Sequence, residues 1–187
     1  GSNLGARALL NILQGNVKVN IQFYDNIDPI NFENSIKKLN LKKIGVIVIS
    51  KSGKTSETLS QFLSIIELYN QQNILNILYK NSLVITEDKL SPLSKIAHNN
   101  KIMILNHEKD VGGRYSVFTN VGMIPAIIGG LNVKNIHLGA LKEFSKFNNN
   151  ECKKIGQFFR YQRINKLIHN SVIMTYSDAL FYFGKWY

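Results

Sequence analysis

The chain has 187 residues, 44% of them hydrophobic, enough for one domain with a sizeable core. No apolar run reaches the roughly eighteen residues of a membrane-spanning helix, no signal peptide is visible, and the single cysteine, Cys152, excludes an internal disulfide; a cytoplasmic protein with no membrane partner is expected. The formal net charge of +11 raises a nucleic-acid reading, but the lysines are scattered (Lys37, Lys42, Lys142, Lys153) with no aromatic-interleaved basic stripe, so the charge favours small anionic substrates and no nucleic acid is expected as a partner.

In chain order, Gly1 to Gly5 reads as a turn leading into a helix over Ala6 to Leu13. Alternating valine and isoleucine from Val17 to Phe23 predict a strand. Asp28 followed by Pro29 predicts a capped helix start, with the helix running to about Leu39. Strands follow at Ile44 to Ile49, Leu83 to Thr86 and Ile102 to Leu105, separated by helices over Ser56 to Asn70 and Pro92 to His98. His107 to Ser116 is a polar loop, then come an apolar helix over Asn120 to Leu131 and an amphipathic one over Val133 to Phe147. A long helix is expected from Glu151 to Asn170, with Tyr161, Ile164 and Ile168 in the core, then a strand over Ser171 to Tyr176 and a short helix capped by Asp178. Regular alternation of strand and helix predicts an α/β fold, a doubly wound parallel sheet with flanking helices, in one domain spanning residues 1–187.

The chemistry concentrates after Val46-Ile47-Val48-Ile49, a β-branched run typical of a strand buried on both faces of a parallel sheet. Ser50 to Thr58 crowds hydroxyls and two lysines around Gly53, and Leu59, Phe62, Leu63 and Ile66 then open a helix. A strand, a polar turn and a helix start place unpaired N–H groups and the positive end of the helix dipole at the turn, an anion site sized for phosphate. Simple N-capping by the same serines and threonines is the other reading. A Walker A loop is excluded, because it needs a glycine five positions before Gly53, where Val48 stands. Further on, Gly112-Gly113 carries Arg114 at the end of a strand. Two readings fit Arg114: an ion pair with Asp110 or Glu108 that holds the loop, or a fixed cation facing a developing oxyanion. The four histidines show no metal spacing and are read as structural.

Residues 50–58, SKSGKTSET, resemble the phosphate-binding turn of sugar isomerase (SIS) domains. Residues 110–122, DVGGRYSVFTNVG, resemble the signature segment of the glucose-6-phosphate isomerase family, and the opening GSNLG resembles the tail of a third motif of that family. The resemblance implies a SIS, flavodoxin-like fold that interconverts glucose 6-phosphate and fructose 6-phosphate by enediol proton transfer, in glycolysis and gluconeogenesis. It assigns phosphate binding to Ser50, Ser52, Thr55 and Thr58 with Lys51 beside them, a substrate contact to Ser2, and enediolate stabilisation to Arg114, with Gly113 shaping its approach. Lys54 departs from the pattern and is expected to point into water. No cofactor or metal is implied, and a homodimer is expected at full length. Phe183 to Tyr187, FGKWY, resembles the approach to the family's glutamate base, which would lie beyond Tyr187. The chain is therefore expected to be the first SIS domain of a longer isomerase, truncated at both ends and inactive alone. The alternative is a non-catalytic phosphosugar-sensing SIS module, which needs the phosphate turn but not Arg114.

Overall fold

A computed structural model describes residues 2–13, 19–146, 149–167, 169–170 and 172–187, with the side chains of 149–152 left out. The centre is a three-stranded parallel sheet, β1 (Val46–Ile49), β2 (Ser82–Thr86) and β3 (Met103–Asn106), in the order β1-β2-β3. Ile49 pairs with Ile85 and Thr86 with Asn106, so residues 50–52, 86–87 and 106–107 leave the sheet side by side at its carboxyl edge.

Helices connect the strands as parallel pairing requires. α3 (Ser56–Gln71) and α4 (Leu75–Lys80) join β1 to β2, and α5 (Pro92–Asn99) joins β2 to β3. Phe62, Leu93 and Ala97 from these helices bury against Val48, Val84 and Ile102. Adjacent strand residues project to opposite faces of a sheet. Val84 and Ile85 are both fully buried, so both faces of β2 are covered and the sheet is doubly wound. Each large side chain buried in this way stabilises the fold by roughly 1.5–3 kcal/mol.

A second core joins α2 (Pro29–Ile36) to α3 and α4 through Ile36, Leu41, Ile65, Tyr69 and Leu78. Asp28 caps α2 by accepting from the backbone N–H of Ile30 and Asn31, as the Asp-Pro pair predicted. A third core packs α1 (Ser2–Ile12) on α6 (Asn120–Ile128) through Leu10 and Ala126, with Leu131. α1 also lies against α9 (Phe181–Trp186) and the 3-10 helix Gly113–Phe118.

Several expectations need correction. The glycine-rich opening is helical from Ser2 onward, and Gly5 packs its bare Cα against Val117. Of the strand expected from Val17 to Phe23, residues 17 and 18 lie outside the described residues, and 19–23 form no ladder. Residues 172–175 likewise form none, and residue 171 lies outside the description. Tyr161 and Ile164 on α8 (Asn149–Ile164) are 62% and 66% exposed and not core residues; Ile168 lies outside the described residues. α7 (Val133–Lys146) also buries none of its residues.

Candidate functional site

The turn from Ser50 to Thr55 is built on the end of β1 and pinned to β2 and α5. Ser50 N–H donates to the Ile85 carbonyl at 3.1 Å, Glu87 N–H to the Lys51 carbonyl at 3.1 Å, and Leu93 N–H to the Gly53 carbonyl at 3.1 Å. Gly53 adopts φ 63°, the left-handed region that favours glycine. A Cβ there would lie 2.1 Å from Ser91 Oγ, so both the backbone angle and the space require glycine.

The hydroxyls of this turn bond to the turn itself. Ser50 Oγ lies 2.8 Å from Thr55 Oγ1 and accepts from Gly53 N–H at 3.1 Å, while Ser52 Oγ accepts from Lys54 N–H at 3.1 Å. Thr55 holds the N-cap position of α3, but its side chain makes no capping hydrogen bond. The capping reading is thus wrong for Thr55, and the first turn of α3 keeps donors that a side-chain cap would have satisfied. Glu57 folds back on its own backbone N–H and accepts from the Ser56 hydroxyl at 3.0 Å, which together hold its carboxyl below the ordinary range.

Ser2, Ser50, Lys51, Ser52, Thr55 and Thr58 all line one cleft of about 1630 Å³, which runs along the edge of β1 that pairs with no strand among the described residues. Residues 19–25 form its far wall, and its apolar depth includes Phe62 and Ile65. The polar turn occupies the end of the cleft at the carboxyl edge of the sheet. Lys54 is exposed and makes no ion pair among the described residues.

Gly113 opens the 3-10 helix Gly113–Phe118 where the sequence predicted a loop. Tyr115 N–H donates to the Gly112 carbonyl at 2.8 Å and Ser116 Oγ to the Gly113 carbonyl at 2.6 Å, and these two bonds tighten the turn. A Cβ at Gly113 would lie 2.7 Å from Ser2 Oγ, so the two predicted contact residues touch. Arg114 is exposed and forms no ion pair with Asp110 or Glu108, which removes the loop-holding reading. Its side chain is not part of the cleft wall; its backbone is fixed by Trp186, whose indole N–H donates to the Arg114 carbonyl at 2.6 Å.

Two side chains that sequence reasoning did not assign sit beside the turn. Glu87 Oε1 lies 3.8 Å from Lys51 Nζ, and Oε2 pairs with Lys89. The Lys89 hydrogen bond, and more weakly the charges of Lys89, Lys51 and His107, hold the Glu87 carboxyl below its ordinary range. His107 is fully buried; its Nδ1 faces the Glu108 carbonyl at 3.1 Å and its Nε2 has no partner among the described residues. No group of three or more His, Cys, Asp or Glu side chains able to hold a metal occurs among the described residues.

Fold and site together define an open parallel α/β protein whose polar, hydroxyl-rich turn sits at the carboxyl edge of the sheet, where ligands of this class bind. The family model described as phosphoglucose isomerase matches residues 1–158. The chain belongs to the phosphoglucose isomerase family. It is 33% identical to the probable glucose-6-phosphate isomerase of Methanococcus maripaludis, with all of this chain and 44% of that protein aligned. It is 34% identical to the glucose-6-phosphate isomerase of Methanocaldococcus jannaschii, covering 100% of this chain and 46% of the relative. The chain thus spans less than half the length of these relatives. Among solved structures, a hypothetical protein from Thermus thermophilus superposes with a TM-score of 0.70 at 27% identity over 75% of this chain and 34% of that one. A glucose-6-phosphate isomerase from Chlamydia trachomatis, 24% identical, shares the fold with a TM-score of 0.58 over 68% of this chain and 24% of its own. No helix is long and apolar enough to cross a membrane among the described residues.

Proposed function

We propose that the chain is the SIS-type, phosphate-holding portion of a glucose-6-phosphate isomerase, forming a single domain over residues 1–187. Its substrates in that reading are glucose 6-phosphate and fructose 6-phosphate, and a full-length homodimer belongs to the same reading. The observation that supports it best is the state of the turn: Ser50 and Thr55 bond to each other at 2.8 Å and α3 is left without a side-chain cap. A phosphate at that position meets hydroxyls, helix N–H groups and the Lys51 ammonium at once. The sugar then extends from the turn towards Ser2 and the 3-10 helix that carries Arg114.

Isomerisation moves a proton between C1 and C2 and needs a base, usually a carboxylate, besides a cation for the enediolate oxygen. Arg114, always charged and in no ion pair among the described residues, suits the second role. Glu57 is tied to its own helix start and Glu87 to two lysines, so neither is a free base. The chain alone is therefore expected to bind a sugar phosphate without converting it. The sensing-module reading receives no specific support, since it has no use for an arginine on a double-glycine turn.

The test is binding of 6-phosphogluconate to the parent chain and to Ser52→Ala, with glucose 6-phosphate turnover measured alongside. A hydrogen bond to a charged group contributes roughly 1.5–3 kcal/mol, so Ser52→Ala should weaken binding by about ten- to a hundredfold. Turnover by the parent chain would show that the base lies within these residues. Unaltered binding by Ser52→Ala would remove the turn from the phosphate site.

A further inference from the structure

The placement of Glu87 is at odds with a simple phosphate site. A carboxylate beside a turn that accepts a phosphate dianion repels the ligand, yet Glu87 lines the same cleft as Lys51, Ser50 and Ser52. Its backbone cannot be the reason for a charged side chain there. The Glu87 N–H bond to the Lys51 carbonyl, 3.1 Å, and the Thr86 Oγ1 bond to the same carbonyl, 3.4 Å, fix the turn whatever the side chain at position 87 is. What the carboxylate adds is contact with cations: Oε1 lies 3.8 Å from Lys51 Nζ, and Oε2 is engaged by Lys89.

The two lysines differ in what they reach. Lys51 lines the cleft, and Lys89 does not. Lys89 therefore anchors Glu87 from outside, while the longer contact to Lys51 is the one a ligand can exchange. The parallel register explains why the two meet: Ile49 pairs with Ile85, so Lys51 and Glu87, each two residues beyond that pair, stand side by side. Buried His107, at the end of β3 and bonded through its backbone N–H to the Thr86 carbonyl at 2.8 Å, closes the back of the cluster.

We propose that Glu87 sets the affinity of the phosphate turn, as an internal counterion that Lys51 exchanges for the phosphate group of a phosphate monoester. The inference rests on the phosphate reading of Ser50 to Thr58. Without ligand, Lys51 is neutralised and held at the mouth of the turn. With ligand, the Lys51 ammonium swings to the phosphate, and Lys89 alone keeps the carboxylate compensated. Binding is thereby tempered: the ligand gains Lys51 only by breaking an existing ion pair, and it meets a standing negative charge while doing so.

The consequence is a gain of affinity on neutralisation, which a loss of structure does not produce. The Lys51–Glu87 contact is long, 3.8 Å, and its lysine end is partly open to water, so Glu87→Gln should bind 6-phosphogluconate only about two- to fivefold more tightly than the parent chain. The gain should shrink against a Lys51→Met background to what direct repulsion by the carboxylate contributes, because Lys51 is no longer there to be released to the phosphate. Calorimetric titration of 6-phosphogluconate into the parent, Glu87→Gln, Lys51→Met and the double variant reads all four values. Equal or weaker binding by Glu87→Gln, with the parent still binding and Ser52→Ala still impaired, would overturn the counterion role and leave the phosphate turn standing. A gain undiminished without Lys51 would also overturn it, since the exchange would then not involve that lysine. Absence of binding by every folded variant would remove the phosphate reading and the inference together.

Discussion

Gly53→Ala tests whether the turn from Ser50 to Thr58 is shaped by backbone geometry. At φ 63° an alanine is in the left-handed region, at a cost of about 1–2 kcal/mol. Its methyl would also meet Ser91 Oγ at 2.1 Å, Ser91 Cβ at 2.7 Å and Thr86 Oγ1 at 3.0 Å. None of these can retreat freely. Ser91 caps α5 by accepting from Ser94 N–H at 3.1 Å in a capping box, and Thr86 is the last residue of β2. Relieving such an overlap costs roughly 1–3 kcal/mol more. The expected loss is then about 2–5 kcal/mol, a large share of the roughly 5–15 kcal/mol that holds a domain together. Gly139→Ala is the matched control. Gly139 lies within α7 with nothing inside 4 Å of an added Cβ, so alanine there should stabilise by roughly 0.5–1 kcal/mol. Urea unfolding of the two variants should move the midpoint in opposite directions. A Gly53→Ala protein within about 0.5 kcal/mol of the parent would refute the claim that this turn demands glycine.

Two further substitutions probe the supports of the site. Tyr69 is fully buried and its hydroxyl donates to the Leu41 carbonyl at 2.7 Å, so Tyr69→Phe leaves that carbonyl unpaired and should cost roughly 1–3 kcal/mol in urea unfolding. Full stability of Tyr69→Phe would show that water or another donor takes over. Trp186→Phe removes the 2.6 Å bond to the Arg114 carbonyl while keeping an aromatic ring, and should speed amide exchange in residues 113–118 several-fold, as expected for a loss of about 1 kcal/mol. Unchanged exchange there would mean that the 3-10 turn holds Arg114 without help from α9.

What the sequence disclosed follows the range of the forces involved. β1, β2 and β3 were legible because each is a short β-branched or apolar run, the local mark of a sheet strand. α4 was missed. It begins at Leu75 after Asn73 turns with φ 58°, and no side chain caps it, so neither a start signal nor a glycine marks it. The alternation at 19–23 was real as a pattern, but a strand exists only when a neighbouring edge pairs with it, and none does among the described residues. The hydroxyl turn was readable from composition, whereas the choice between capping and an open site depended on the Ser50–Thr55 bond across five residues. Glu87 gave no signal of its own. Its meaning comes from the register that sets it beside Lys51, a residue far earlier in the chain.

The most direct test of the account compares 6-phosphogluconate with gluconate, two ligands that differ in the phosphate alone, by titration against the folded parent chain. Saturable binding of 6-phosphogluconate with gluconate at least roughly a hundredfold weaker is the expected result, since in the proposed reading the turn supplies hydroxyls, helix N–H groups and Lys51 to the phosphate alone. Equal binding of the two, or no binding of either, would contradict the claim that Ser50 to Thr58 forms a phosphate site.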